Sequence, residues 1–560
     1  MLRYISWLII AVLILPIAGG MILIIPPAFG YLPLLGGDAI SLEPWQRLWH
    51  TPGISRSIGV SFGTGLATTA LALIVVFAFL ATFSPTRFDR WVNRSMSPLL
   101  SVPHAAAAFG FAFLIAPSGL LLRGFSPWLT GFERPPDIMV VNDPFGLSLI
   151  AGLAIKEIPF LLLVSLAALP QLNAQQKVML ARSLGYHPRI AWLKVVAPGL
   201  YRLVRLPVYA VLAFATSTVD VAMILGPNLP STLSVQVVQW FNDPDLSYRF
   251  LAAAGALLQL LVTGMTLVTW WALELTVARL FHAWIRRGGR RGGDRLIRVT
   301  GRSGMVMAIS LSGLGLLALF VNSVAGFWRF PSSWPANFTL SHWLAALPTI
   351  ERPLVTTLVV AGLAASIAML LVLAALEQEQ EQQQNKPATR ALCLLYLPLL
   401  IPQVGFLSGI TVLSEMAGYG PSLLVVVWGH LLFVLPYIYL TLSESYRQLD
   451  PRWAWIARSL GSSQAGIFWR IRVPLLLRPM LMAFALGVAI SASQYLPTQL
   501  LGGGRIVTIT TEAVALSSGG DRRLIGVWGL VQAMVPLLGF LFAMLIPKLL
   551  WRRRKGMQGA

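Results

Sequence analysis

Three features of the chain predict an all-α polytopic membrane protein of about twelve transmembrane helices in two parallel-repeat halves. Hydrophobic residues fill 56% of the 560 positions and charged residues only 11%, against about 25% charged in soluble domains. The apolar residues gather in runs of roughly 20, the length a bilayer demands of a helix. The third feature is a five-residue word, Ala181-Arg182-Ser183-Leu184-Gly185, which returns 276 residues later as Ala457-Arg458-Ser459-Leu460-Gly461. A proline follows each glycine at the same distance, Pro198 and Pro474. The same offset relates Arg202 to Arg478, Ala213 to Ala489, Ser217 to Ser493 and Gly226 to Gly502. Similarity held in register over that length marks a duplication.

Taken in order, the runs place spans at about 5–26, 57–83, 96–116, 145–169, 203–225 and 250–275 in the first half. The second half has about 303–327, 353–376, 391–414, 421–443, 479–501 and 524–547. The first run is too long for the 7–15 residue core of a secretory signal and is read as a retained span. Gly59, Gly63, Pro159 and Pro436 fall inside spans, where neighbouring helices re-satisfy the backbone and glycines allow close packing. Cys393 lies in an apolar run and is the single cysteine, so no intrachain disulfide forms.

A net charge of +21 raises the question of nucleic acid. Lys and Arg, however, favour one set of loops roughly three to one, the bias that orients a membrane protein with both termini in the cytoplasm. No nucleic-acid partner is implied. The chain divides into a first half at 1–278, a basic cytoplasmic linker at 279–302 and a second half at 303–560. The Gly-Gly pairs of the linker read as flexible and lipid-facing, the run Glu377 to Asn385 as a helix continued into the cytosol, and Arg552 to Lys555 as a stop at the membrane surface.

Both copies of the word sit in polar cassettes, about 172–199 and 449–475, after the fourth span of each half. Six spans separate them, so both face the cytoplasm and the repeat axis runs along the membrane normal. Each cassette reads as two short helices. Asn173 with Gln176 forms an approximate capping box at the first, and Asp450 caps the second with Pro451 in the first helical position. Gly185 and Gly461 supply the left-handed residue that ends a helix. The following helix, apolar on one side and basic on the other, suits a groove in a partner, where a lone amphipathic helix would lie in the headgroups.

At these residues the chain resembles the permease subunits of binding-protein-dependent ABC importers, whose cytoplasmic loop reads Glu-Ala-Ala, three residues, Gly, nine residues, Ile-x-Leu-Pro. The matching positions are Ala181, Gly185 and Pro198, then Ala457, Gly461, Ile471 and Pro474. The departures are Met179 and Trp455 for Glu, Leu180 and Ile456 for the first Ala, and Ala197 and Val473 for Leu. The likeness covers about 145–250 and 421–526, and the two-halved layout looks like the fused permeases of the ferric-iron and thiamine group. It implies a type I importer fold in a bacterial inner membrane and cassettes that couple to a cytoplasmic ABC ATPase dimer. It also implies a periplasmic or lipid-anchored solute-binding protein. The chain has no Gly-x-x-x-x-Gly-Lys-[Ser/Thr] loop, so ATP with its Mg belongs to the partner and this chain holds no cofactor.

Ionisable residues inside spans are costly and are candidate functional groups. Asp220 stands beside Ser217, and the equivalent place in the second half holds Ser493 and Gln494. These patches would face one another across the repeat axis and line a translocation path. Lys156 and Glu157, in the fourth span, have Leu432 and Phe433 as counterparts. They would contact solute or form ion pairs with Asp220 or another span. No metal-ligand spacing and no nucleophile–base pair stands out, so no catalytic site is expected, and His104 and His430 read as packed or hydrogen-bonded. The competing class is a twelve-span secondary transporter driven by an ion gradient. The loop Ser84 to Arg90 is a poor match to the basic motif of such carriers. A membrane scaffold without transport would leave the polar residues of spans five and eleven unexplained.

Overall fold

The computed structural model describes residues 5–82, 87–290, 294–381 and 389–551. The first half contributes α1 (Ile5–Leu23), α2 (Ile54–Thr82), α3 (Arg87–Ser101), α4 (His104–Ile115), α5 (Leu147–Ala168), α6 (Ala174–Ser183), α7 (Pro188–Val195), α8 (Ala197–Ser217), α9 (Asp220–Leu225), α10 (Leu233–Phe241) and α11 (Tyr248–Arg286). The second half repeats this order with α12 (Asp294–Val324), α13 (Ser341–Glu381), α14 (Thr389–Leu400), α15 (Gln403–Met416), α16 (Leu423–Arg447), α17 (Arg452–Ser459), α18 (Gln464–Ile467), α19 (Val473–Ala492), α20 (Leu496–Gly502), α21 (Ile509–Ala515) and α22 (Arg522–Leu550). The protein is all-α and polytopic. Eleven helical stretches among the described residues are long and apolar enough to cross a membrane.

The expected span at 391–414 is not one of the eleven, because Pro402 divides it into α14 and α15. Proline offers no N–H and clashes with the carbonyl four residues back. The third span of the first half is divided likewise at Pro103, between α3 and α4. Broken spans are tolerable in a bilayer only where the freed backbone is buried in protein.

The halves interlock through their first helices. Helix α1 packs on α15 of the second half, and α12 packs on α4 of the first. Both crossings are made through glycine. A Cβ on Gly110 of α4 would lie 2.6 Å from the Gly315 carbonyl oxygen of α12, and a Cβ on Gly409 of α15 would collide with the Gly20 carbonyl of α1. Without a hydrophobic force between helices in lipid, such close backbone approach is a main source of association. Within each half, α2 packs on α5 and α8, as α13 does on α16 and α19.

The expected linker is mostly helix. Helix α11 runs to Arg286 and α12 begins at Asp294, so among the described residues of the linker only 287–290 lie outside helix. Residues 552–555 and the end of the 377–385 run lie outside the described residues.

Candidate functional site

Each cassette begins with a helix stopped by a left-handed glycine, Gly185 at φ +84° after α6 and Gly461 at φ +80° after α17. The amides of Gly185 and Gly461 close onto the Arg182 and Arg458 carbonyls, and those of Tyr186 and Ser462 onto Ala181 and Ala457. This bonding around a left-handed residue ends a helix abruptly. Ala181 and Ala457 are the buried residues of α6 and α17. Near the end of each helix, Met179, Leu180 and the C-cap Leu184, and their equivalents Trp455, Ile456 and the C-cap Leu460, are all more than half exposed. Both cassettes thus present the same three-residue apolar face, two of whose residues in each copy depart from the importer motif.

Other details of the cassettes differ from expectation. Asn173 takes a left-handed conformation and its side chain caps nothing, so there is no capping box with Gln176. Asp450 does accept a bond from the Arg452 amide, at 2.9 Å, but Pro451 stands just outside the helix. The basic side of α7 is not free for a partner. Lys194 is buried and donates to the Gly289 carbonyl at 2.9 Å, with its ammonium over the rings of Trp284 and Tyr186. Burial holds that ammonium below the usual lysine range. Arg189 pairs with Asp294. In the second cassette the chain passes from α18 through a π-helical turn, Phe468–Arg472, straight into α19. Pro474 sits in the first turn of α19, where a missing N–H costs no helix bond.

The predicted path residues lie at two repeat-related helix breaks. Helix α8 ends at Ser217 and α9 starts at Asp220, while α19 ends at Ala492 and α20 starts at Leu496. Ser217 and Ser493 bond in the same way to the carbonyls four residues back, Ala213 at 2.8 Å and Ala489 at 2.7 Å. Thr218 donates to the Asp220 carboxylate at 3.1 Å. Asp220 interacts electrostatically with Tyr495 of the other break, and α9 packs on α21 of the second half. Gln494 is half-buried beside Ser493.

Lys156 has a different setting from the one expected. Its ammonium donates to the carbonyls of Leu99, Leu100 and Val102 at 2.9, 3.4 and 2.6 Å. These are carbonyls around the break at Pro103, and three donors meet three acceptors. Among the described residues it makes no ion pair with Asp220 or another carboxylate within 4.0 Å. Its neighbour Glu157 is buried, lies 3.5 Å from His104 Nε2, and interacts across the halves with Tyr437. His430 bridges Ser491 at 2.7 Å and Thr498 at 2.9 Å, joining α16 to both sides of the second break. No three His, Cys, Asp or Glu side chains cluster as metal ligands among the described residues.

No profile of a known protein family matches the chain. It is, however, 32% identical over 563 aligned positions to the inner membrane ABC transporter permease protein YnjC of Escherichia coli (strain K12). The alignment covers 100% of this chain and 98% of that protein. The chain belongs to the ABC transporter permeases. That membership displaces the ion-gradient carrier as the competing class.

Sequence reasoning missed two devices that hold this permease's helix breaks. Gln259 of α11 donates to the Thr216 carbonyl at 3.2 Å, just before the first break. Gln532 of α22 donates at 2.9 Å to Thr510, which in turn bonds the Ala492 carbonyl at the second. The signal was available: a buried glutamine in the last span of each half, in sequences otherwise apolar, requires a partner.

Proposed function

We propose that this permease is the two-halved membrane subunit of an ATP-driven importer in a bacterial inner membrane, with both termini cytoplasmic. Its two cassettes dock a cytoplasmic ABC ATPase dimer, and its opposite face receives a small solute from a periplasmic or lipid-anchored binding protein. ATP and Mg are held by the ATPase, and this chain performs no catalysis. The repeat architecture and the cassette motif support a reading as one of the fused permeases of the ferric-iron and thiamine group. The translocation path runs between the two helix breaks, past Ser217, Asp220, Ser493 and Gln494, with Glu157 at the interface of the halves.

The observation that carries this reading is the duplicated apolar face, Met179, Leu180 and Leu184 with Trp455, Ile456 and Leu460, each set held by a glycine-stopped helix. Repeated exposed apolar surface on one side of the molecule marks a protein contact, and a twofold pair of such contacts suits a dimeric partner. The test is co-purification of an ATPase with the permease and with a Leu180→Asp, Ile456→Asp double variant. Loss of the ATPase together with ATP-dependent uptake in vesicles is expected. Undiminished capture and uptake by the double variant would end the proposal.

A further inference from the structure

On the face opposite the cassettes, where the two halves meet, a cavity of about 470 Å³ is lined by Ser118, Arg123, Asn322, Trp328, Arg522 and Arg523, among others. Nothing in the transport reading uses it. Arg123 belongs to the short helix Leu120–Phe125 of the first half, and Arg522 and Arg523 open α22 of the second.

Arg123 is buried and largely consumed. Its guanidinium bonds the carbonyls of Ser118, Arg329 and Ser332 at 2.9, 3.1 and 3.1 Å, and lies over the rings of Trp328 and Phe330. None of these partners carries a negative charge. Arg522 reaches across the same junction to the Ser118 hydroxyl at 2.7 Å, and the two guanidiniums repel each other. The one carboxylate on the wall is Asp521, whose Oδ1 is turned to the backbone amides of Arg523 and Leu524. Among the described residues, none of the three arginines has a carboxylate within 4.0 Å.

Two half-buried or buried guanidiniums held close together without a counter-charge are unfavourable unless an anion completes the site. The cavity falls in the size range of small-ligand pockets. Arginine forks match the oxygens of a phosphate bidentately, and the donors of Arg522 beyond the Ser118 bond remain to make that contact. In the segments that supply Arg123 and Trp328, Leu121, Phe125, Trp128 and Phe327 are exposed, apolar and aromatic side chains of the kind found at headgroup level.

We propose that this cavity binds a phosphate oxyanion that ties the two halves together on the face away from the cassettes. The phosphate comes either from an anionic phospholipid headgroup or from free inorganic phosphate. The full chain would be purified and placed in nanodiscs of phosphatidylcholine, with or without phosphatidylglycerol, and separately in detergent with phosphate or chloride at equal ionic strength. Retained lipid is read by native mass spectrometry and stability by the thermal unfolding midpoint. The wild type should be stabilised in at least one pair of conditions, and Arg522→Gln should weaken retention about tenfold, the scale of one charge-assisted bond. Arg522→Lys should keep part of the effect. A response to phosphatidylglycerol alone assigns the headgroup, and a response to phosphate in detergent assigns the free anion. Should Arg522→Gln fail to fold, Arg523→Gln provides the same comparison. If the wild type and the folded glutamine variant respond alike in both arms, the site is not an anion site.

Discussion

The crossing of α4 and α12 offers a sharp test of how the halves are joined. Replacing Gly110 by Ala would put a methyl group 2.6 Å from the Gly315 carbonyl oxygen and 2.8 Å from its carbon. Ordinary carbon contacts begin at about 3.5 Å, so the helices must part by roughly 1 Å. No side chain can rotate aside, because both obstructing atoms are backbone. Overpacking of this kind typically costs about 1–3 kcal/mol, and the displaced helix would lose contacts along its length. Gly313, on the same helix as Gly315, has nothing within 4 Å of its would-be Cβ, so Gly313→Ala serves as a control that shares helix and chemistry. Thermal unfolding midpoints in one detergent should show Gly110→Ala several degrees below the wild type, with Gly313→Ala unchanged or slightly raised by its better helix propensity. Equal midpoints for the two variants would refute the crossing, and with it the exchange of first helices between halves.

Gly185→Val and Gly461→Val force a β-branched residue into left-handed backbone, at about 1–2 kcal/mol each. The double variant should reach the membrane yet show ATP hydrolysis uncoupled from uptake in reconstituted vesicles. Lys156→Met would leave the carbonyls of Leu99, Leu100 and Val102 without their donor. Unsatisfied buried polar groups cost about 1–3 kcal/mol each, so a marked fall in thermal midpoint is expected, and Lys156→Arg should recover part of it. Asp143 accepts bonds from the amides of Phe145, Leu147 and Ser148 and from the Ser148 hydroxyl. Burial pushes its carboxyl up, but those bonds outweigh it and hold the group below the usual aspartate range. Its stabilisation is therefore full above the unfolded aspartate pKa of about 3.9 and is lost as pH falls through the lower folded value. Asp143→Asn should lower stability at pH 7 and flatten the acid limb of the pH–stability curve below about pH 4.

Much of this architecture was legible because it is written in local periodicity. The apolar runs, the 276-residue offset and the two helix-stopping glycines need no knowledge of contacts between distant segments. What escaped were features that exist only once remote segments meet. Lys156 lies 54 residues from its Val102 acceptor, and its purpose appears only when Pro103 is seen to break the third span beside it. Arg123 falls in a stretch that reads as a connection between spans and finds three of its carbonyls 205 to 209 residues away. The first-helix exchange is invisible for the same reason: Gly20 and Gly409 are unremarkable glycines until their helices cross. The cassette faces were hidden differently. Met179, Leu180, Trp455 and Ile456 read as departures from the Glu-Ala pattern, when their shared apolar character was itself the message.

The duplication has kept the outward surface of the two cassettes while changing what stands behind them. The first is braced by the junction between the halves: the His187 amide bonds the Arg290 carbonyl at 3.1 Å, Lys194 reaches Gly289, and His187 and Arg189 both pair with Asp294. The second is braced by the end of α13, where Glu377 takes Arg472 and Tyr446, and Glu379 takes Arg447 and Tyr439. Among the described residues, neither set has a counterpart on the other side. A partner that reads only apolar shape would meet two equivalent surfaces there. The supports are free to diverge as long as each holds its glycine-stopped helix in place. Fusing the halves into one chain makes that divergence possible, since the linker that reaches the first cassette exists once and cannot serve the second.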